Sequence, residues 1–328
     1  MFHPTELTVR PAPQTALLLE GDGGRMTIED GKEAHLRVVG GRVEYASGDF
    51  AFTASVVRGA GRQGGSAAFV LSVPGRIARE YRGAFEVSVR SGTLVPVVFM
   101  DLEVAVASAV AAESPPGAPL EALKAQAIVT RSYYLAARRH VNFGFCDTTH
   151  CQFLREPPAA DSPALVAAAS TRGLVLTYRG EIIPALFSAS CGGRTRSLRE
   201  AGMAPQDYPY YSVICEYCLR HAPRWKSVLD LENNVDLLNG SPTEAQRLRI
   251  DRGLGWSTIP GNNYELEVAG GALIIQGSGQ GHGIGLCQLG AAGMAAQGKS
   301  FQEILDYYYL NTSLDGVGEP LVGLRPTR

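Results

Sequence analysis

Short runs that are rich in β-branched residues or alternate between apolar and polar positions follow one another from Leu7 to about Arg90. Residues 35–39, 52–57 and 68–73 are examples, and glycine-rich turns separate them. Alternation of this kind predicts strands with one buried face. We therefore predict a β-rich N-terminal part, which continues into strands near residues 84–89 and 94–99.

The pattern changes to helical spacing after residue 100. Apolar residues recur every three or four positions over residues 102–113, and Asp101 is placed to cap the first turn. This helix should end at Glu113, before a Ser-Pro-Pro turn. A second helix is predicted from Pro119 to about His140, because proline suits the first helical turn.

The remainder of the chain is less regular. Four more strands are predicted, at residues 173–178, 182–188, 264–268 and 272–276. A polar, irregular stretch is expected at residues 200–263, with a short helix at residues 243–249, and a glycine-rich loop and two helices should follow. Because strands and helices do not alternate as in βαβ units, we predict an α+β fold. We divide it into a β-rich region of residues 1–80, a mixed α/β domain of residues 81–312 and a tail of residues 313–328.

Composition excludes two classes of protein. The 328 residues are 45% hydrophobic and 19% charged, enough to bury a sizeable core. The net charge is −2 and no block of Lys and Arg occurs, so no nucleic-acid partner is expected. No apolar run approaches the roughly 20 residues of a transmembrane helix. Residues 1–10 lack the basic and apolar regions of a signal peptide.

Glu113 is the first candidate for chemistry. It follows the Ala- and Val-rich residues 104–112, and apolar neighbours favour the protonated form of a carboxyl group. An acid so placed can donate a proton to a glycosidic oxygen near neutral pH. The alternative is an exposed glutamate at a helix end, where the helix dipole disfavours the carboxylate.

Two groups of Cys and His residues are candidate metal ligands. His140, Cys146, His150 and Cys151 lie within twelve residues and suit tetrahedral zinc, although an irregular backbone is needed for adjacent His150 and Cys151 to face one ion. A local disulfide or two unrelated thiols is the alternative. The second group is Cys215, Cys218 and His221, a spacing that fits a disulfide, half a metal site or, least well, a redox pair.

Residues 277–288 form a glycine-rich segment, Gly-Ser-Gly-Gln-Gly-His-Gly-Ile-Gly-Leu-Cys-Gln. Alternating glycines let the backbone approach a ligand closely. A dinucleotide site is not expected, because no βαβ unit with an acidic residue follows. A strand-to-helix turn that uses glycine for packing is the alternative, and it accounts less completely for His282 and Gln288.

Taken together, these segments resemble the SpoIID/LytB family. Glu113 and two prolines are followed by Glu-Ala-Leu-Lys-Ala-Gln-Ala at residues 121–127 and by Arg131. Residues 188–195 match the family's Ser-x-Ser-x-Gly-Gly-x-Thr segment. Residues 281–291 match its Gly-His-Gly-x-Gly-hydrophobic-Ser-Gln-x-Gly-Ala segment, with a cysteine where serine is common. The resemblance covers about residues 80–312 and leaves the N-terminal region without an assigned role.

The resemblance implies a lytic transglycosylase that cleaves the β-1,4 bond between MurNAc and GlcNAc in glycan strands, including strands stripped of peptides, and leaves a 1,6-anhydro end. Glu113 would protonate the leaving oxygen and then accept the proton of the attacking C6 hydroxyl, so no second carboxylate is required. Arg131 would orient Glu113 or a sugar. The resemblance also implies a structural zinc at the His140 group. Candidates for lining the sugar groove are Lys124, Ser188, Ser190, His282 and Gln288.

Two other functions fit the same residues. One is a non-catalytic glycan-binding module that enhances a cell-wall amidase, and the other is a zinc hydrolase with Glu113 as general base. A glycan substrate implies a place in the cell envelope. Outside the cytoplasm a pair among Cys191, Cys215 and Cys218 should form a disulfide, whereas in a reducing compartment the three would hold a second metal with His221. Cys287 has no assigned partner.

Overall fold

The computed structural model describes residues 4–137, 139–141, 143–148, 150–233, 243–255 and 257–318. Its mixture of helices and strands, with a β-rich N-terminal region, confirms the predicted α+β fold. The described chain forms two compact units. The first contains residues 4–112 and 139–160, and the second contains residues 113–137 and 161–318.

The first unit is built on an antiparallel sheet. Its strands are β1 (Glu6–Pro11), β2 (Leu17–Gly21), β3 (Gly24–Ile28), β4 (Ala34–Val39), β5 (Arg42–Ser47), β6 (Phe50–Ala54), β7 (Val56–Gly61), β8 (Ala67–Val73), β9 (Ile77–Arg90) and β10 (Thr93–Phe99). They follow the order β3-β2-β7-β9-β8-β1-β4-β5-β6, with β10 paired to β9. The hydroxyl of Tyr45 on β5 donates to the carbonyl of Gly24 on β3. The sheet is therefore curved, because β3 and β5 lie far apart in this strand order and are nevertheless in contact.

Alternation along these strands builds one core. In β1, Leu7 and Val9 are buried while Glu6 and Arg10 are exposed. Burying each such side chain contributes roughly 1.5–3 kcal/mol to the stability of the fold. The boundary that we predicted at residue 80 lies within β9, which is hydrogen-bonded to β7, β8 and β10. The sheet therefore continues past residue 80 to the end of β10.

Helices and short sheets make up the rest of the described chain. The helices are α1 (Leu102–Glu113), α2 (Leu120–Ala136), α3 (Pro163–Ser170), α4 (Glu216–His221), α5 (Glu244–Leu254), α6 (Gln288–Ala296) and α7 (Phe301–Tyr308). The strands are β11 (Leu174–Tyr178), β12 (Glu181–Ile182), β13 (Phe187–Ser188), β14 (Arg224–Asp230), β15 (Asn263–Ala269), β16 (Ala272–Ser278), β17 (Leu286–Cys287) and β18 (Ser313–Gly316). None of the helices in the described ranges is both long and apolar enough to cross a membrane.

The second unit is organised around α2, which packs against α3, α6, α7 and β11. Ala125, Ala127, Ile128 and Val129 are fully buried, so successive residues of this helix face protein on all sides. The unit also contains three small sheets. Their orders are β12-β11-β18, the parallel pair β13-β17, and β14-β16-β15.

Several predicted elements differ from the structure. α2 ends at Ala136 rather than near His140, because Ala137 is extended at φ −85° and ψ 145°. The stretch predicted as irregular contains β14, whose alternating Trp225 and Leu229 pack on a small apolar core. Residues 313–316 of the predicted tail form β18 and pair with β11. α3, which begins with the Ser162 cap and Pro163, was not predicted from the sequence.

Candidate functional site

Glu113 is the last residue of α1 and is partly buried. At the other end of this helix, a carboxylate oxygen of Asp101 accepts the N–H groups of Glu103 at 2.9 Å and Val104 at 3.2 Å. Asp101 is thus the predicted cap, and the prolines after Ser114 stop the helix. The position of Glu113 is fixed by these local signals at both ends.

Gln288, the first residue of α6, holds the end of α1. Its Nε2 donates to the backbone carbonyl of Glu113 at 2.9 Å and lies 3.4 Å from Oε1 of Gln126. Gln126 in turn donates to Thr130 Oγ1 at 3.3 Å. The last carbonyls of a helix have no partner within the helix, so a side-chain donor there both satisfies and orients the terminus. Two segments that the sequence analysis singled out separately therefore meet at Glu113.

A small pocket lies beside this contact. The Ser114 turn, one face of α2 and the start of α6 line this pocket. Its lining therefore includes both polar amide groups and apolar carbon atoms. The hydroxyl of Ser114 is buried without a hydrogen-bond partner among the described residues. The lining residues are Ser114, Pro115, Ala118, Ala122, Leu123, Gln126, Leu286, Gln288 and Ala291.

Three of the predicted groove residues lie on or beside the parallel pair β13-β17. Ser188 pairs with Cys287, directly before Gln288, and its buried hydroxyl has no partner in the described chain. Ser190 exchanges backbone hydrogen bonds with Gln280 at 2.8 and 3.0 Å. The N–H of Ile284 donates to His282 Nδ1 at 3.0 Å, which assigns the ring proton to Nε2. Burial lowers the pKa of His282 and favours the neutral ring.

The two predicted site residues on α2 have contacts that organise the unit. The guanidinium of Arg131 is fully buried and donates to the carbonyls of Leu174 at 3.0 Å and Ala168 at 3.2 Å. It therefore ties α2 to α3 and β11.

Lys124 bonds to Glu121 at 2.6 Å, and the other carboxylate oxygen of Glu121 accepts the N–H of Phe301 at 2.9 Å. The hydrogen bond from Lys124 lowers the pKa of Glu121. These contacts join α2 to the start of α7. The roles of Lys124 and Arg131 toward substrate stay predictions.

The structure brings together His140, Cys146, His150 and Cys151 in the first unit. Their ligand atoms all lie within 4.8 Å of one another. Cys151 Sγ is 3.3 Å from both His140 Nε2 and Cys146 Sγ, and His150 Nδ1 is 3.7 Å from each sulfur. A turn in which the N–H of Cys151 bonds to the carbonyl of Thr148 at 3.0 Å supplies the irregular backbone that the adjacent ligands require.

This ligand-bearing loop is fixed to the sheet of the first unit. Asp147 forms an ion pair with Arg79 of β9 and accepts a hydrogen bond from the hydroxyl of Tyr81 at 2.6 Å. Burial next to this carboxylate raises the pKa of Tyr81, so the hydroxyl stays a donor. The loop is thus anchored at the residue that follows Cys146.

The predicted clustering of Cys191, Cys215 and Cys218 is present in the second unit, and Cys287 is its fourth member. His221 lies outside the cluster. Its Nδ1 is 2.9 Å from the carbonyl of Tyr217, on whose ring it stacks.

Two residues that take part in these contacts were not predicted from the sequence as site residues. Gln126 contacts Gln288, and its signal was a polar residue within a buried apolar stretch of helix. Cys287 had a weaker signal, a cysteine at a position where serine had been expected.

Comparison with known proteins gives concordant matches. The family model described as SpoIID, stage II sporulation protein, matches residues 90–178. An uncharacterised protein of Brachyspira hyodysenteriae is 31% identical over an alignment of 263 positions that covers 70% of this chain and 71% of that protein. Stage II sporulation protein D of Bacillus amyloliquefaciens is 26% identical over an alignment of 286 positions that covers 70% of this chain and 81% of the relative. The Bacillus subtilis protein of that name is 25% identical over an alignment of 177 positions that covers 45% of this chain and 50% of the relative.

The matched family is linked to peptidoglycan processing. The chain belongs to the SpoIID family.

Proposed function

We propose that this protein is a lytic transglycosylase that cleaves MurNAc–GlcNAc bonds of peptidoglycan glycan strands, with Glu113 as its acid and base. One observation carries the proposal. Gln288 of the glycine-rich segment holds the backbone carbonyl of Glu113 at 2.9 Å, so this carboxyl group is presented from a fixed helix end. A group that transfers a proton needs a fixed position, because it must lie within hydrogen-bonding distance of the reacting atom before its pKa can matter.

The proposed reaction needs Glu113 first as an acid and then as a base. In the proposed reaction this acid protonates the leaving glycosidic oxygen, the C6 hydroxyl attacks C1, and the carboxylate takes the hydroxyl proton. The acid is regenerated, and no water enters.

Neutral polar groups near Gln288 suit a sugar chain. The hydroxyl of Ser188 has no partner in the described chain and can exchange hydrogen bonds with a sugar hydroxyl, and the ring of His282 is neutral. We assign them, with Ser190, to glycan binding. The proposed substrate places the protein in the cell envelope, where an amidase that strips peptides would act before it.

Digestion of purified, peptide-free glycan strands tests this function. We expect disaccharide or longer fragments that end in 1,6-anhydroMurNAc, detected by mass spectrometry, because the C6 hydroxyl replaces water as nucleophile. Ordinary reducing ends would instead indicate a hydrolase. No cleavage together with faster release of peptides by an added amidase would indicate an amidase enhancer. Either of the last two results would reject the proposed reaction.

The His140 group fits a zinc ion. Zinc with Zn–S bonds of about 2.3 Å and Zn–N bonds of about 2.0–2.1 Å keeps tetrahedral ligands roughly 3.3–3.8 Å apart. Each of the four contact distances given above is 3.3 or 3.7 Å. Two histidines and two cysteines would complete the coordination, so the ion would supply structural cross-linking. We propose that it fixes the loop anchored by Asp147.

Cys146→Ser is expected to lower the zinc content by about one ion per chain relative to wild type, because a hydroxyl is a poor zinc ligand. Elemental analysis after dialysis against a mild chelator measures this loss. Thr148→Ala is the matched control, since its hydroxyl lies 3.2 Å from Cys146 Sγ but is not a ligand. Equal zinc in Cys146→Ser and wild type would remove the site from the proposal.

A further inference from the structure

Cys191, Cys215, Cys218 and Cys287 form a buried four-sulfur cluster in the core of the second unit. Their residues are 0–3% exposed, and all four Sγ atoms lie within 4.8 Å of one another. Cys218 Sγ and Cys287 Sγ are 3.4 Å apart. The cluster draws on three parts of the fold, the loop after β13, the start of α4 and the start of α6.

We propose that these four cysteines bind a second structural zinc ion. Four thiolates around one zinc with bonds of about 2.3 Å lie about 3.8 Å apart. This distance falls between the 3.4 Å of the Cys218–Cys287 pair and the 4.8 Å within which all four sulfur atoms lie. An iron–sulfur cluster spaces its cysteines more widely, because they bind different iron atoms. The thiols are separate, and the 3.4 Å pair is well beyond the roughly 2.05 Å of a disulfide bond. A single tetrahedral ion accounts for all four sulfur atoms at once.

Hydrogen-bond donors surround the sulfur atoms. The N–H groups of Cys191 and Gly290 donate to Cys287 Sγ at 3.3 and 3.4 Å. The Tyr308 hydroxyl lies 3.2 Å from Cys215 Sγ, and the Ser190 hydroxyl lies 3.7 Å from Cys218 Sγ. Metal-bound thiolates carry negative charge, and donors of this kind compensate it in a buried site.

Proton balance is simple. Four thiols give up four protons to solvent as one Zn²⁺ binds four thiolates, which leaves a net charge of −2 within the cluster. The two N–H donors to Cys287 and the start of α6 oppose this charge. No redox step is involved.

The ion would join segments that the proposed active site uses. Cys287 immediately precedes Gln288, and Cys191 immediately follows Ser190 in the loop after β13. Zinc would therefore hold the start of α6 against the loop after β13. This positioning role rests on the proposed function, whereas the metal site itself does not depend on it.

Zinc analysis of four proteins tests the site. We expect about two zinc ions in wild type, about one in Cys287→Ser, about one in Cys146→Ser and none in the double variant. The two single variants carry the same chemical change in different clusters, so each controls for the other. Unchanged zinc in Cys287→Ser, or a disulfide between any two of its four cysteines by non-reducing peptide mapping of wild type, would overturn the second site.

A spectroscopic measurement tests the site without the Cys287→Ser variant, which is useful if that variant does not fold. Cys146→Ser leaves the buried cluster intact, and Co²⁺ can replace zinc in that variant. We expect one bound Co²⁺ with the visible bands of a tetrahedral ion and strong thiolate-to-cobalt charge transfer. Folded Cys146→Ser that binds no Co²⁺, or that contains iron instead of zinc as isolated, would overturn the assignment. Neither measurement depends on enzymatic activity, so failure of the metal site and failure of the proposed function are separable.

Discussion

Glu113→Gln is expected to lower the rate of anhydro-product formation by about 10²–10⁴-fold and to leave the fold intact. The amide has nearly the same shape as the carboxyl group but can neither donate the proton to the leaving oxygen nor accept it from the C6 hydroxyl. The contact with Gln288 uses the backbone carbonyl of residue 113, which the substitution retains. Initial rates of anhydro-end formation and a thermal unfolding curve measure the two expectations.

The matched control is Glu181→Gln, the same chemical change at an exposed position on β12. It should retain the wild-type rate, because surface substitutions of this kind rarely disturb a site. Wild-type turnover by folded Glu113→Gln would mean that another group transfers the proton. A loss of rate accompanied by unfolding of Glu113→Gln would show that its carboxyl group serves the fold.

The parts of the fold that follow local signals could be predicted from sequence. α1 is the clearest example, because Asp101 caps its first turn and the Ser-Pro-Pro turn stops it after Glu113. The β-rich N-terminal region is another, since alternation along β1 matches its burial. α3 and β14 were missed although each carries a local signal, the Ser162 cap and the alternating Trp225 and Leu229.

Contacts between distant segments could not be predicted in the same way. The bond from Gln288 to the Glu113 carbonyl spans 175 residues, and the bond from the Cys191 N–H to Cys287 Sγ spans 96. Neither spacing carries a periodic or capping signal. His140, Cys146, His150 and Cys151 were grouped from sequence because they are close along the chain, whereas Cys287 reaches its cluster only through the pairing of β13 with β17.

Gly285→Ala is expected to reduce the free energy of unfolding by about 2–5 kcal/mol. Gly285 has φ +70°, which is strained for any residue with a Cβ. An added Cβ would also lie 2.0 Å from the carbonyl oxygen of Leu186. That oxygen accepts hydrogen bonds from the Leu286 N–H and the Tyr309 hydroxyl, so it cannot move aside without breaking them. Denaturant unfolding of wild type and variant measures the difference.

Gly298→Ala separates the two causes. Gly298 has φ +86°, yet nothing lies within 4 Å of its added Cβ. Backbone strain alone should therefore cost about 1–2 kcal/mol there, and the excess at Gly285 reports the close approach to Leu186. The comparison also distinguishes a packing role of Gly285 from a ligand-binding role. If both variants lose the same free energy of unfolding and only Gly285→Ala loses glycan binding, Gly285 makes room for a ligand. If Gly285→Ala loses more free energy of unfolding than Gly298→Ala without any glycan present, Gly285 packs β13 against β17.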